Sequence, residues 1–231
     1  MSEYADRDQG LLIEKLRSRA WDPARRFDEV PVPIAWIEQH YGEDRVEAAR
    51  ESSYAFSSDG TIDFPAGSPE ADHYYRSDLR RPLFPPADVR EVEKAEREIG
   101  HRLPQLLRRL YTEVGNGGFG PYARGFSSIT SSLTSPDGLV VLSLVETYQR
   151  DCARGMPASW LELTPCGCAV YWYVSLTEPG NPVMLYETDR GDPRYGQRPE
   201  EGVHGTIPLR EWLWIWADGG DVWDEVLEQR K

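Results

Sequence analysis

A glycine-rich run at residues 115–120, GNGGFG, fits the Gly-x-Gly-x-x-Gly pattern of dinucleotide-binding turns. That chemistry needs a strand before the first glycine and a helix after the last, whose N-terminal N–H groups contact the pyrophosphate. The residues before Gly115 have helical periodicity instead, and Pro121 follows the last glycine. A helix that ends at the run presents carbonyl groups, which repel phosphate. We therefore expect no cofactor, and a structural turn in which Gly117 or Gly118 adopts a positive φ.

The cysteines could supply soft metal ligands or a nucleophile. Cys166 and Cys168 form a Cys-x-Cys pair and Cys152 lies nearby in the sequence, but a structural zinc site takes four ligands, usually from Cys-x₂₋₄-Cys pairs. The four histidines are scattered along the chain. A nucleophilic cysteine needs a positioned base, and the sequence indicates none. The cysteines are interpreted as small buried hydrophobic residues, and no metal is expected.

A hydrolase could be built from Asp72-His73 and a serine elsewhere, but the chain has no Gly-x-Ser-x-Gly nucleophile elbow. Pairs of carboxylates carry no information because 39 acidic residues produce many of them by accident. The sequence predicts no catalytic residue.

The segment EWLWIWADGG contains three tryptophans that could form a ligand cage. At helical spacing, Trp212 and Trp216 share a face with Leu209 and Leu213, which is typical of core residues. Trp214 falls on a different side of the helix. It is therefore the predicted exposed aromatic residue and a candidate for partner contact.

The charge distribution indicates which partners are compatible with the chain. The net charge of −13 opposes direct nucleic-acid binding, which normally needs a basic patch. Residues 38–78 carry ten acidic and three basic side chains, a net charge of −7. This stretch is either a solvated surface or a surface that faces a basic partner. The candidate partner-binding carboxylates within it are Glu43, Asp44, Glu47, Glu51, Asp63 and Asp72.

No apolar run approaches the roughly 18 residues that span a bilayer, and the first ten residues have neither the basic nor the apolar region of a secretory signal. Three cysteines form no disulfide framework. We expect a cytoplasmic protein without membrane contact.

Local signals predict the elements of the first third of the chain. Residues 9–23 are predicted to form a helix and DEVPVPIAW a linker punctuated by proline. One or two polar helices follow, with Gly42 as a break. Alternation of Tyr54, Phe56, Ile62 and Phe64 around Asp59-Gly60 predicts a hairpin. Residues 65–86 are predicted to be a surface loop.

From residue 85 onward the pattern predicts a pair of helices packed as a hairpin. Asp88 and Glu91 form a capping box, and Gly100 ends the first helix. Its apolar stripe comprises Val89, Val92, Ala95 and Ile99. The second helix starts at Pro104, and its apolar face comprises Leu106, Leu107, Leu110, Tyr111 and Val114.

The remaining segments predict a sheet with flanking helices. GFSSIT is predicted to be a short strand, and Val141, Leu144, Val145 and Tyr148 one helical face. CGCAVYWYV is predicted to be a strand with PVMLYETD as its antiparallel partner, and LREWLWIWAD a helix. Helices that do not alternate strictly with strands indicate an α+β fold with a mainly antiparallel sheet.

Several of these blocks together resemble the SUKH superfamily. The most specific is EVEKAEREIGHRLPQLLRRLYTEVGNGGFGP, followed in the expected order by the strand entry at 160–164, CGCAVYWYV and LREWLWIWADGG. The resemblance covers about residues 85–220 and the short N-terminal helix. Residues 34–80 depart from it and look like an insertion, and the Cys-Gly-Cys sequence also differs from the usual pattern.

The resemblance implies a single non-enzymatic α+β domain over residues 1–231. Many bacterial members of the superfamily are immunity proteins that bind and neutralise a toxin, often a nuclease. We therefore expect a cognate toxin protein, basic in charge, as the partner. The alternative is a regulatory scaffold or interaction module without a toxin.

Overall fold

The structure is a computed structural model that describes residues 8–52, 55–56, 60–74, 83–122, 124–129, 131–134, 140–167 and 169–228. The described residues form ten α-helices and nine strands, and all sheet pairings are antiparallel, which confirms the α+β class. The helices are α1 (Gln9–Ala20), α2 (Ile34–Tyr41), α3 (Glu43–Glu51), α4 (Pro69–Tyr74), α5 (Val89–Ile99), α6 (Gln105–Arg109), α7 (Leu144–Ala153), α8 (Thr188–Gly191), α9 (Leu209–Asp218) and α10 (Val222–Glu228). The strands are β1 (Glu29–Pro33), β2 (Ala55–Phe56), β3 (Thr61–Pro65), β4 (Leu133–Thr134), β5 (Val140–Val141), β6 (Trp160–Pro165), β7 (Val170–Ser175), β8 (Pro182–Glu187) and β9 (Val203–Pro208).

The largest sheet has the strand order β6-β7-β8-β9. Trp172 and Val174 on β7 point to the main core, and Tyr171 and Tyr173 belong to a second cluster on the opposite face. The predicted pairing of PVMLYE with this strand is confirmed, with Tyr173 opposite Met184. Strand β9 was not predicted, and β6 was indicated only by the strand entry at residues 160–164.

The predicted helical hairpin is confirmed. Asp88 and Glu91 form the capping box of α5, and Gly100 ends the helix in the left-handed conformation at φ 80°. Within the predicted apolar stripe Val89 is the exception, because its side chain is 51% exposed. A π-helical turn, Leu110–Val114, continues α6, and its Leu110 is fully buried as predicted.

The N-terminal third of the chain contains a small three-stranded sheet with the order β1-β3-β2. The prediction of a linker at residues 28–36 was wrong, because β1 pairs along its whole length with β3. The prolines of β1, Pro31 and Pro33, have no N–H group to donate, and they are tolerated because β1 is an edge strand. The pairing of β2 with β3 confirms the hairpin, although Tyr54 and Asp59 lie outside the described residues.

Three further predictions need correction. Residues 65–86 are not all loop, since α4 lies among them. No strand forms at residues 125–129, where Ser128 makes only an isolated bridge to Ser143. Val141 belongs to β5 rather than to the following helix, because Ser143 caps α7 with its hydroxyl accepting from the Glu146 N–H group.

The hydrophobic core within residues 29–74 is separate from the two hydrophobic clusters of the other described residues. We call residues 29–74 the small unit, and residues 9–28 and 83–228 the body. The core of the small unit consists of Val30, Val32, Ile37, Val46, Ala49, Ile62, Phe64 and Ala71. The main core of the body lies between the largest sheet and helices α1, α5, α7, α9 and α10.

Asp28 ties the small unit to the body. Its carboxylate forms an ion pair with Arg19 and accepts hydrogen bonds from Trp216 Nε1 at 3.2 Å and the Tyr122 N–H group at 3.3 Å. Because β1 begins at the next residue, these contacts fix where the small unit leaves the body.

Candidate functional site

The helices of the small unit cover one face of its sheet. Val30 and Val32 on β1, and Ile62 and Phe64 on β3, point toward α2, α3 and α4 and form the core with them. Side chains alternate along a strand, so Glu29 and Asp63 lie on the opposite face. The unit therefore has a helix side and a sheet side with different surroundings.

Four of the predicted carboxylates lie together on the helix side. Glu43, Asp44, Glu47 and Glu51 are all exposed on α3, and Glu43, Glu47 and Glu51 follow one another at intervals of four residues. Glu43 and Asp44 also occupy the first turn, where negative charge is favourable. Glu47 pairs with Arg50 at 2.7 Å, whereas the other three form no ion pair with any residue that the structure describes.

Asp72 joins the same side of the molecule through α4. The ion pair between Arg45 Nε and Glu70 Oε1, at 2.5 Å, connects α3 to α4, and Asp72 is exposed two residues further along α4. Tyr41 at the end of α2 donates its hydroxyl proton to the Pro69 carbonyl at 3.2 Å. These contacts hold the three helices together, and each of them carries at least one exposed carboxylate.

Asp63 lies elsewhere, on the sheet side near the junction with the body. It is close enough to Glu29 to raise the pKa of that carboxyl, which burial first and then the charges of Asp63, Asp28 and Asp221 bring to about 7. Because Asp221 lies between α9 and α10, this face of the sheet is turned toward the body. Asp63 therefore does not join the acidic surface of the helices.

The prediction of an exposed Trp214 was wrong, since its side chain is 1% exposed. Helix α9 is surrounded by α1, α10, β8 and β9, so its Trp212, Trp214 and Trp216 all belong to the main core. Helical periodicity assumes one solvent-facing side, and from Trp212 to Ala217 this helix has none, since all six residues are buried.

Sequence reasoning missed a cluster of five rings on the helix side of the small unit. Its members are Trp36, His40, Tyr41, His73 and Tyr74, from α2 and α4. The four-residue interval between Trp36 and His40 was visible in the sequence. The contact with the two rings of α4 was not, because those residues are more than thirty positions away.

The glycine run has the predicted backbone conformation, with φ 78° at Gly117 and 72° at Gly118. A Cβ atom at Gly117 would lie 2.7 Å from the carbonyl oxygens of Phe126 and Ser127, so the turn is packed against backbone. It follows the π-helical turn rather than a strand, and no helix begins at residues 120–122. This geometry lacks the helix N-terminus that a pyrophosphate site requires.

A polar network of three buried side chains and the exposed Arg150 lies on the face of the largest sheet opposite the main core. Tyr173 donates to Asp151 Oδ2 at 2.8 Å, and Arg150 Nη2 lies 3.4 Å from Glu162 Oε2. Burial first, and then the charge of Asp151, raises the pKa of Glu162 to about 7. A shifted carboxyl can mark an acid–base site, but Asp151 and Glu162 are each only 5% exposed beneath the second hydrophobic cluster.

The remaining candidates for chemistry lie in the body. Among the residues described, Cys152 and Cys166 are free thiols, and no three His, Cys, Asp or Glu side chains converge as metal ligands. Cys168 lies outside the described residues. A concavity of about 650 Å³ between α5 and α6 is lined by both signs of charge, including the ion pair of Arg108 with Glu96.

Comparisons of the chain with protein-family models, with curated proteins and with solved structures find no match. In the described part of the chain, no helix is long and apolar enough to cross a membrane. Among the arrangements described above, the acidic helix side of the small unit is the candidate site that the geometry defines best, because it groups exposed carboxylates of α3 and α4.

Proposed function

We propose that this chain is a non-enzymatic immunity protein of the cytoplasm that binds and neutralises a basic toxin. The acidic helix side of the small unit would make the recognition contacts. The observation that supports this proposal is that the most concentrated negative charge of the chain lies on a unit with its own hydrophobic core.

The charge of this surface suits a basic partner. Helices α2, α3 and α4 carry seven acidic side chains and two arginines. Those arginines pair with Glu70 and Glu47 within the unit, so Glu43, Asp44, Glu51 and Asp72 keep their charge available at the surface. Exposed charges of one sign raise the rate at which an oppositely charged protein is encountered.

The architecture suits discrimination between related partners. Immunity proteins must distinguish their own toxin from its relatives, and a variable element on a common scaffold achieves this without changing the scaffold's core. The small unit, residues 29–74, overlaps most of the segment 34–80 that departs from the SUKH pattern, and the body carries the blocks that resemble it. The resemblance thus supports a scaffold and a recognition element in the same chain.

The first experiment tests neutralisation. A toxin encoded beside the gene for this chain would be expressed in a bacterial host with and without the chain, and growth would be measured. We expect growth to be restored only when the chain is present. The absence of such a gene, or of rescue by the chain, would favour the alternative of a regulatory scaffold.

The second experiment tests the surface by stopped-flow association with that toxin. The variant Glu43→Gln/Asp44→Asn/Glu47→Gln/Glu51→Gln should associate roughly tenfold more slowly at low salt, with little change in dissociation, because it removes steering charge. The difference should shrink at high salt, where exposed charges are screened over about 8 Å or less.

The matched control removes four exposed carboxylates from the body, namely Glu93, Glu178, Glu200 and Glu225, each replaced by glutamine. Its association rate should stay close to that of the parent, since its charges lie outside the proposed contact surface. Association of the α3 variant at the parent's rate in low salt would mean that the acidic face is only solvated.

A further inference from the structure

The five-ring cluster of the small unit is organised around Trp36. The imidazole of His40 stacks on the Trp36 indole, with ring centroids 4.1 Å apart and planes inclined by 23°. The rings of His73 and Tyr74 meet the indole edge-on at 5.0 and 5.2 Å. Tyr41 extends the group through a hydrogen bond between its hydroxyl and His73 Nδ1 at 3.0 Å.

Part of the cluster packs against the core of the small unit, and the rest is accessible to solvent. Trp36 and Tyr74 pack partly against the core of the small unit, which holds their rings in place. His40 and Tyr41 are exposed, Tyr41 by 37% of its surface, and His73 is half-buried. A set of aromatic rings that is already ordered and still accessible costs little conformational entropy when a partner binds.

Exposed carboxylates lie on the same helices as these rings. In the sequence, Glu38 stands between Trp36 and His40 of α2, and Asp72 directly precedes His73 of α4. Glu43 follows Tyr41 by two residues at the start of α3. Ring faces attract cations, and carboxylates accept hydrogen bonds from them, so the two together select a planar cation rather than an apolar side chain.

The molecule already uses this chemistry within its own fold. The guanidinium of Arg19 lies over the Trp216 ring, 4.6 Å from its centroid, while it pairs with the carboxylate of Asp28. Arg45 lies over the Phe64 ring at 5.3 Å and pairs with Glu70. In both cases an arginine is held by a ring face and a carboxylate.

We propose that the ring cluster of α2 and α4 is the anchor for an arginine side chain of the basic partner. The guanidinium would lie on the Tyr41 and His40 rings and donate hydrogen bonds to the flanking carboxylates. An arginine is favoured over a lysine because its flat group stacks on rings and binds carboxylates in a bidentate manner. This inference rests on the proposed function and identifies the chemistry of its central contact.

The first test needs no toxin. The imidazole Cε1–H signals of the four histidines would be followed by NMR during titration with acetyl-Gly-Arg-Gly-amide, and separately with the same peptide containing uncharged citrulline. We expect the arginine peptide to shift the signals of His40 and His73 at millimolar concentration and to leave His101 and His204 unchanged. Equal shifts with citrulline, or no shift at His40 and His73, would overturn the proposal.

The second test uses the toxin complex. Tyr41→Ala should speed dissociation at least tenfold with little change in association, whereas Tyr41→Phe, which keeps the ring, should stay within about threefold of the parent. The matched control is Tyr195→Ala, because Tyr195 is 79% exposed on the body and far from the cluster in sequence. Circular dichroism would confirm that each variant is folded, and His40→Ala provides a second removal of an exposed ring.

The outcomes separate the anchor from the wider function. If the α3 charge variant slows association while both Tyr41→Ala and His40→Ala dissociate like the parent, the immunity function holds and the arginine anchor is wrong. If the chain neutralises no toxin but the arginine peptide still shifts His40 and His73 selectively, the anchor holds and its partner is a different basic protein.

Discussion

The body and the small unit differ in the side chains that form their hydrophobic cores. The body buries four tryptophans, at positions 172, 212, 214 and 216, between a four-stranded sheet and its helices. The small unit relies on eight mostly aliphatic residues beneath a short three-stranded sheet. Its Trp36 and Tyr74 pack only partly against that core, and His40 and Tyr41 are exposed. The comparison indicates a stable scaffold that carries a less stable element suited to recognition.

The largest expected effect is the loss of a core side chain. Leu110→Ala in the body should lower the free energy of unfolding by about 2–5 kcal/mol, because Leu110 is fully buried in the main core. Denaturant unfolding measures this, with Leu11→Ala as the control, since Leu11 is 46% exposed. A change below about 0.5 kcal/mol would contradict the place of Leu110 in the core.

The same kind of substitution in the small unit tests whether the two regions unfold separately. Ile62→Ala removes a fully buried side chain from the smaller core. Hydrogen exchange should show faster exchange in β1, β3, α2 and α3, with the amides of α5 and β7 still protected. Equal loss of protection in both regions would mean that the body and the small unit unfold as one cooperative structure.

A smaller effect is expected at the glycine turn of the body. Gly117→Ala should cost on the order of 1–3 kcal/mol, because a side chain is strained at φ 78° and its Cβ would meet two carbonyl oxygens. Gly100→Ala is the matched control, with φ 80° but no atom within 4 Å of the added Cβ. Its smaller loss of unfolding free energy isolates the cost of φ alone. Equal losses would show that the packing at Gly117 is not tight.

The smallest expected effect is the pH dependence of stability. Burial raises the pKa of Glu162 in the body and of Glu29 at the junction to about 7. A carboxyl with a raised pKa holds its proton more tightly in the folded state, so its stabilising contribution is present at low pH. That contribution is lost as the pH rises from about 4.5 to about 7.

Glu162→Gln should therefore flatten the loss of stability over this pH range, by on the order of 1–2 kcal/mol. Glu29→Gln should reduce the loss of stability by a smaller amount. Glu29 is only half-buried, and solvent screens the charges of the neighbouring carboxylates. Thermal unfolding at pH 5 and pH 8 distinguishes them. A steeper pH dependence in either variant would contradict the burial of that carboxyl as the cause.

Much of the local structure could be predicted because it depends on nearby residues. The capping box of Asp88 and Glu91, the end of α5 at Gly100 and the positive φ of Gly117 all follow from side chains within a few positions. The acidic face of α3 followed from the positions of its carboxylates and the four-residue interval.

The rest of the candidate site depended on contacts between distant segments. The sequence could not show that EVPVP would form an edge strand. Proline has no N–H group to donate, so a segment with two prolines becomes a strand only where another strand pairs with its remaining backbone N–H and C=O groups. Nor could the sequence place Asp63 on the sheet side, since that depends on which face the helices cover.

The α+β class, the caps and turns, and the concentration of negative charge could be predicted from the residues alone, because each depends on composition or on short-range spacing. The burial of Trp214, the separate core of the small unit and the contact between the rings of α2 and α4 became visible only in the folded chain. These features arise from packing between residues far apart in the chain. No local pattern encodes them, since burial is set by the elements that surround a residue and not by its neighbours in sequence.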